Sequence, residues 1–536
     1  MDTRLVSQTG DWDAICAGFD WPSPERYNIA EEVCDRWARA DPERIALIHP
    51  QDHGEARRYS FAELARLSNK LANVLRGADV EQGDRVAVLL PQVPESLLTH
   101  LATYKIGGIM VPLFTLFGED GLRFRLGDSG AKVIVTDAAN LPKVLNIADD
   151  LPDLRHIFCV EGSAGARDMW GAMLAAQAEI TPVATSPDTP ALIVYTSGTT
   201  GPPKGALHGH RVLLGHLPSV ETHHDFFPQP GDCMWTPADW AWLGGLMNAL
   251  MPALNHGVPV LAHRMGKFDA QEAYGLMADY GVRNAFLPPT ALKFLRQVPV
   301  PDGVNLRSVG SGGEALGADL LDWGREHLGL TINEFYGSTE CNLVLGNCAA
   351  SFAPKPGSTG RASPGKQVAV LDADGRAVAQ GDTGEIAVRR GNPAMFLEYW
   401  GQPEKTAAKF AGDWLRMGDE GRMDADGFAL FSSRTDDVIT SAGSRIGPSE
   451  IEECLTGHED VTMAAAVGVP DEVRGEAVKA FVVLRPGRVL DDDLAEALMA
   501  RVRDRISPHV APRSVEQIDS LPMTATGKIM RRELKE

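Results

Sequence analysis

Apolar positions along the first part of the chain alternate between two periods. Within residues 28–48, Ile29, Val33, Trp37 and Ala38 stand at helical spacing, and a short apolar run at 45–48 follows as a strand. A second helix is expected after Tyr59-Ser60-Phe61, with Ser60 as its cap and Leu64, Leu67, Leu71 and Val74 on one face. Apolar runs at 85–90, 109–114, 132–136 and 156–160 read as buried strands, with helical residues 94–106 after the first. Alternation of this kind predicts an α/β body of mostly parallel sheets. The same grammar returns over 206–330, with strand candidates at 258–263, 284–287 and 308–310.

The texture changes near residue 358. Segments 368–371 and 384–389, with a turn at Asp374-Gly375, read as a β-hairpin region, and 418–423 with 428–431 make a second around Asp426-Gly427. Both Asp-Ala-Asp-Gly sequences, at 372–375 and 424–427, lack the ligand spacing and terminal Glu of a calcium loop and are expected as hairpin turns. The tail carries a helix at 450–455, strands at 462–469 and 480–484, and a helix at 491–506, a set large enough for its own core. The expected organisation is an α/β body with a β-rich subdomain over 1–433, a hinge at 434–437, and a small mobile α+β domain over 438–536.

Length and composition narrow this only a little. At 536 residues the chain is long enough for several domains, and 44% hydrophobic with 23% charged residues is ordinary for a globular protein. The net charge of −21, from 72 acidic and 51 basic residues, disfavours nucleic acid or an anionic membrane surface as a partner. Cys16, Cys34, Cys159, Cys233, Cys341, Cys348 and Cys454 form no metal-ligand spacing, and an odd, scattered set fits reduced thiols. The first twenty residues lack an apolar signal core, and no apolar run approaches the roughly 20 residues of a membrane span. A cytoplasmic protein is expected.

Candidate chemistry concentrates first at residues 191–205. The apolar run 192–195 empties into a loop with hydroxyls at Thr196, Ser197, Thr199 and Thr200, glycines at Gly198, Gly201 and Gly205, and a cation at Lys204. Small residues admit a ligand close to the backbone, and hydroxyls with free N–H groups make a nest for phosphate oxygens. A Walker P-loop needs Gly-Lys-Ser/Thr opening a helix. Here Pro202 and Pro203 separate Gly201 from Lys204, and no hydroxyl follows the lysine. The loop is a phosphate binder of another kind.

Further motifs follow in order. Gly310-Ser311-Gly312-Gly313-Glu314-Ala315 reads by itself as a helix start after a strand. In Glu334-Phe335-Tyr336-Gly337-Ser338-Thr339-Glu340, an aromatic, a hydroxyl and a carboxylate fall together. A carboxylate beside phosphate is costly unless a cation lies between, so Glu340 points to Mg²⁺. Tyr336 is suited to stack on adenine and Thr339 to donate to a phosphate. Then come Met417-Gly418-Asp419, Arg434-Thr435-Asp436-Asp437, the segment 441–452 with Ala442, Gly443, Ser444 and Arg445, and Lys528 on a glycine-bearing loop near the end. Alone, Asp419 reads as a turn residue and Lys528 as a solvated tail lysine.

Taken together, these six motifs resemble those of the adenylate-forming superfamily, which includes acyl-CoA synthetases, carrier-protein adenylation domains and luciferases. The resemblance covers essentially the whole chain, and within the superfamily it is to acyl-CoA synthetases of the short- and medium-chain type. It implies ATP, Mg²⁺ and CoA as cofactors, a small carboxylic acid as substrate, and two half-reactions through an acyl-adenylate. Lys528 is then the adenylation lysine, acting with Thr339 and Glu340. The residues from Thr196 to Lys204 take the phosphates, and Gly313, Glu314, Ala315, Glu334, Phe335, Tyr336, Gly337 and Ser338 belong to the nucleotide site. Asp419 and Arg434 hold the ribose, Asp436 is the hinge pivot, and Ala442, Gly443, Ser444 and Arg445 line the CoA channel.

Asp239-Trp240-Ala241-Trp242-Leu243-Gly244-Gly245 resembles the segment lining the acyl pocket, with Trp242 and Leu243 as walls and Gly244 and Gly337 as room. For Trp240, a core position on a helix shared with Trp242 reads equally well. Acetate-restricted relatives carry tryptophan where this chain has Gly337, so space for several methylenes is expected, and with it an acid of roughly three to eight carbons. Cys341-Asn342 departs from the Thr-Gly or Thr-Thr of many relatives and puts a thiol and an amide near the acyl site. Met523 replaces a common basic residue and reads as neutral. Loading of a carrier-protein thiol, a non-catalytic nucleotide-binding relative and luciferase-like chemistry remain as alternatives at this level, and the oligomeric state is open.

Overall fold

The computed structural model describes residues 3–51, 53–196, 203–434, 437, 439–441, 444–471, 475–508, 510–523 and 529–535. The early expectations hold closely. Ser60 Oγ accepts from Glu63 N at 3.2 Å and caps the helix Phe61–Gly77, whose Leu64, Leu67, Leu71 and Val74 are buried. That cap satisfies one of the amide groups that a helix start leaves unpaired. The preceding helix widens into a π turn at Glu31–Asp35 before Arg36–Ala40, and the strand Ile45–His49 follows.

Two large sheets form the body. One has nine strands, with Ser308–Gly312 and Asn333–Tyr336 side by side and parallel. The other has eight, with Ile109–Pro112, Arg85–Leu89, Val133–Thr136 and His156–Cys159 all parallel. Fully buried strands such as Val133–Thr136 are what a sheet covered on both faces requires.

A five-stranded antiparallel sheet follows, with Val368–Leu371 paired to Gly384–Arg389 as expected. Its next strand, Trp414–Met423, starts four residues before the expected 418, because Gly384–Arg389 offers ladder partners out to Trp414. It turns back into Ala429–Arg434, and the Asp424 carboxylate accepts from Asp426 N and Phe428 N, so this Asp-Ala-Asp-Gly is a hairpin turn. The fourth sheet belongs to the tail, where Val461–Asp471 and Gly475–Leu484 pair over ten positions under the helices Pro448–Thr456 and Asp492–Arg505. It has a separate apolar core that includes Ile451, Leu455, Val482 and Leu498. Among the described residues no helix is long and apolar enough to cross a membrane.

Candidate active site

The hydroxyl-rich loop joins two antiparallel strands, Pro190–Thr196 and Lys204–Gly209, with Thr196 opposite Lys204. It is therefore a hairpin loop and not the strand-to-helix turn of a P-loop. On the far side of Lys204–Gly209 lies the short strand Glu398–Tyr399, with Tyr399 opposite Ala206. This pairing carries Tyr399 to two charged groups at once. The Lys204 ammonium sits 4.8 Å from the centre of its ring, and its hydroxyl donates to Glu340 Oε1.

Glu340 is buried. Burial alone would push its carboxyl up, but the Lys409 ammonium and the Tyr399 and Ser338 hydroxyls outweigh that and hold it below the ordinary glutamate value. It is an ionised carboxylate kept in a buried place. Glu334, six residues earlier, has the opposite fate: burial pushes it up to about 8, with the Leu316 N–H opposing and the Glu453 charge adding to the rise. Its Oε1 accepts from Leu316 N at 3.3 Å, which ties the 313–316 turn to the strand Asn333–Tyr336. Within that turn Gly313 faces the Trp242 ring, Thr290 Oγ1 donates to Glu314, and Ala315 is exposed.

The Tyr336 hydroxyl donates to Asp419 Oδ2 at 2.5 Å. Asp419 stands opposite Arg434 in the hairpin ladder, so the two residues expected at the ribose share one register position.

Beside these groups a small cavity of about 40 Å³ is lined by Trp242, Leu243, Gly244, Phe335, Gly337 and Thr339, together with Asn248 and Asn342. The residues expected at the acyl pocket thus come together, but the expected room does not. A Cβ on Gly337 would lie 2.4 Å from Leu343 N and 2.8 Å from Asn342 Oδ1, so the space without an indole is filled by the following turn. A Cβ on Gly244 would meet the Trp242 ring at 2.8 Å, so that glycine admits the indole rather than a ligand. The helix begins at Leu243, after both tryptophans: Trp240 is buried core, and Trp242 packs its ring on Phe286 at 5.6 Å. Of the Cys341-Asn342 pair, the amide reaches the cavity, whereas the buried Cys341 thiol accepts from Asn392. Trp242 also lines a larger cavity of about 180 Å³, walled by Asp239 and Arg264.

Comparison with known proteins agrees with this geometry. Residues 34–400 match the family model described as AMP-binding enzyme, and residues 450–528 match the AMP-binding enzyme C-terminal domain. The chain belongs to the AMP-binding enzymes.

It is 34% identical over 537 residues to the acetyl-coenzyme A synthetase of Bacillus subtilis, covering 98% of this chain and 93% of that one. To the mitochondrial acyl-coenzyme A synthetase ACSM3 of Rattus norvegicus it is 33% identical over 550 residues, covering 99% and 94%. Among solved structures, an anthranilate CoA ligase in complex with anthranoyl-AMP superposes with a TM-score of 0.89 at 26% identity, covering 95% and 97%. Within the AMP-binding enzymes the chain is an AMP-forming acid–CoA ligase, a class that uses ATP, Mg²⁺ and CoA.

Among the described residues no cluster of three or more His, Cys, Asp or Glu side chains could hold a metal ion by itself. A lone ionised Glu340 fits Mg²⁺ that arrives on a nucleotide, since this ion takes one or two carboxylates and completes its shell with phosphate and water. Its chemistry there would be to neutralise phosphate charge.

Ser197, Gly198, Thr199, Thr200, Gly201, Asp436, Ala442, Gly443 and Lys528 lie outside the described residues. On either side of Lys528, Met523 and Ile529 form a bridge, and Arg531 pairs with Glu452 at 2.8 Å and Asp437 at 3.0 Å. Sequence reading missed Tyr399, Lys409 and Asn248. Tyr399 becomes relevant only through strand pairing and Lys409 only through its charge near Glu340, but Asn248 had a signal, as the lone amide in the apolar stretch 243–254.

Proposed function

We propose that this AMP-binding enzyme activates a short carboxylic acid with ATP and passes the acyl group to CoA. The reading is carried by Glu340, a carboxylate held ionised although buried, linked through Tyr399 to the lysine that closes the hydroxyl-rich hairpin. In the first half-reaction the acid's carboxylate attacks the α-phosphorus of ATP and pyrophosphate leaves. An anion then approaches an anion, and positioned cations and donors lower that barrier.

Lys528 bridges the two reacting groups in this scheme, and Thr339 donates to the α-phosphate. The Thr196–Lys204 hairpin, with Ser197, Gly198, Thr199, Thr200 and Gly201, takes the β- and γ-phosphates. Tyr336 offers its face to adenine, and Asp419 with Arg434 holds the ribose. In the second half-reaction the CoA thiol attacks the acyl carbon and AMP leaves. The tail domain turns about a hinge at Asp436 between the two, so that Ala442, Gly443, Ser444 and Arg445 replace Lys528.

The cavity volume favours the short end of the range. At about 40 Å³ it has room for about three water molecules, which favours acids of about three to five carbons. The seven cysteines are all free, which supports a reducing compartment, in our reading the cytoplasm. A screen of AMP release over a panel of carboxylic acids, with and without CoA, tests the proposal. AMP release that CoA accelerates, with propionate or butyrate ahead of acetate and octanoate, is expected. AMP release indifferent to CoA with every acid overturns the ligase reading, and a clear preference for acetate overturns the size assignment.

A further inference from the structure

We infer that the acyl cavity takes a short acid bearing an oxygen acceptor on its carbon chain, such as a hydroxy acid, held by the side-chain amide of Asn248. The inference rests on the acyl-CoA ligase reading above and narrows its substrate class.

The argument follows one chain of hydrogen bonds. Leu343 N donates to Asn342 Oδ1 at 2.9 Å, which fixes which end of the Asn342 amide carries oxygen. The Asn342 Nδ2 is then the donor, and it gives a hydrogen to Asn248 Oδ1 at 2.9 Å. Asn248 therefore turns its own NH₂ away from Asn342. Asn248 is only 3% exposed, it lines the cavity, and among the described residues no acceptor receives its NH₂. The Asn248 NH₂ opens on the cavity and is not sealed from solvent, so a ligand acceptor there takes the place of a water.

The turn that presents these amides is held from behind. Leu343 has φ +53°, a conformation a leucine adopts only under constraint, and its carbonyl accepts from Ser219 Oγ at 2.7 Å and from Lys366 Nζ. The same turn occupies the space beside Gly337, where a Cβ would lie 2.4 Å from Leu343 N. The lining of this cavity thus joins a fixed polar surface, Asn248 with Asn342, to the apolar Trp242, Leu243 and Phe335. Thr339 and Asn248 line the same cavity of about 40 Å³, which has room for only a few acyl atoms.

Pairs of acids in which a hydroxyl replaces a methyl of nearly the same size test this directly. Lactate with isobutyrate, 3-hydroxypropionate with butyrate, and 3-hydroxybutyrate with isovalerate place the oxygen at different depths. By CoA-dependent AMP release, at least one hydroxy acid is expected to exceed its methyl counterpart in kcat/KM by about tenfold or more, since a site that donates to a substrate oxygen rejects the analogue without it. In Asn248→Leu that ratio should fall to one or below, with the methyl counterparts gaining. Should the variant fail to fold, the wild-type ratios decide alone. Methyl members equal or better in every pair overturn the inference and leave the ligase reading standing, as they would if a water satisfied Asn248. No CoA-dependent AMP release with any acid overturns both.

Discussion

Glu340 shows how far one residue's chemistry depends on its neighbours. Burial opposes its charge, and the Lys409 ammonium and two hydroxyls restore it. Tyr399→Phe keeps the ring beneath Lys204 but removes one of those hydroxyls. A hydrogen bond to a charged group contributes about 1.5–3 kcal/mol, so kcat/KM for MgATP should fall roughly 10- to 100-fold. The Glu340 pKa rises when that donor is lost, so the acid limb of the pH–rate profile should move to higher pH. Pyrophosphate release across pH and Mg²⁺ concentration checks both, and an unshifted acid limb with unchanged kcat/KM would remove Glu340 from the site. Glu340 itself was legible in the sequence, because a carboxylate among phosphate-binding residues calls for a cation. Tyr399 was not, since nothing local marks a tyrosine that acts through a neighbouring strand. Gly337 was legible as a missing side chain but misleading as room, because what fills the space comes from Asn342 and Leu343.

At the scale of elements, the strands Pro190–Thr196 and Lys204–Gly209 belong to the body, whereas Lys528 belongs to the tail sequence. The bridge from Met523 to Ile529 and the Arg531 pairs with Glu452 and Asp437 join its flanks to the start of the tail sheet. If the tail alternates between two positions, the two half-reactions separate by residue. Lys528→Ala should abolish adenylate formation yet leave thioester formation from a supplied acyl-adenylate. Gly443→Leu should do the reverse, because pantetheine must pass close to backbone there. Pyrophosphate release and thioester formation, measured separately, check the division, and equal loss of both steps in either variant would sink it.

Across the whole molecule, buried histidines link stability to pH. Burial lowers His208 to about 4 and His100, His210, His216 and His224 to about 3, against an unfolded value near 6.5. Between those values the unfolded chain binds more protons than the folded one, so stability is full above about pH 6.5 and is lost as pH falls toward 4 and 3. Urea denaturation should show a lower midpoint at pH 5 than at pH 7.5, and equal midpoints would mean that these rings protonate in place. Body and tail also touch: Glu453 Oε1 accepts from Ala318 N at 3.1 Å, near the turn that Glu334 supports.

By itself the sequence determined the α/β body, the β-rich hairpins, the tail unit and the set of polar motifs, because hydrophobic period, caps and turn residues act over a few neighbours. Only the tertiary structure decided what those motifs touch. Tyr399 meets Glu340 from a strand that pairs with Lys204–Gly209, Glu334 is pushed up by burial where Glu340 stays charged, and a turn closes over Gly337 and leaves an amide in the cavity lining. Each of these outcomes depends on burial and on groups many positions away, and neither is written in the spacing of residues along a chain.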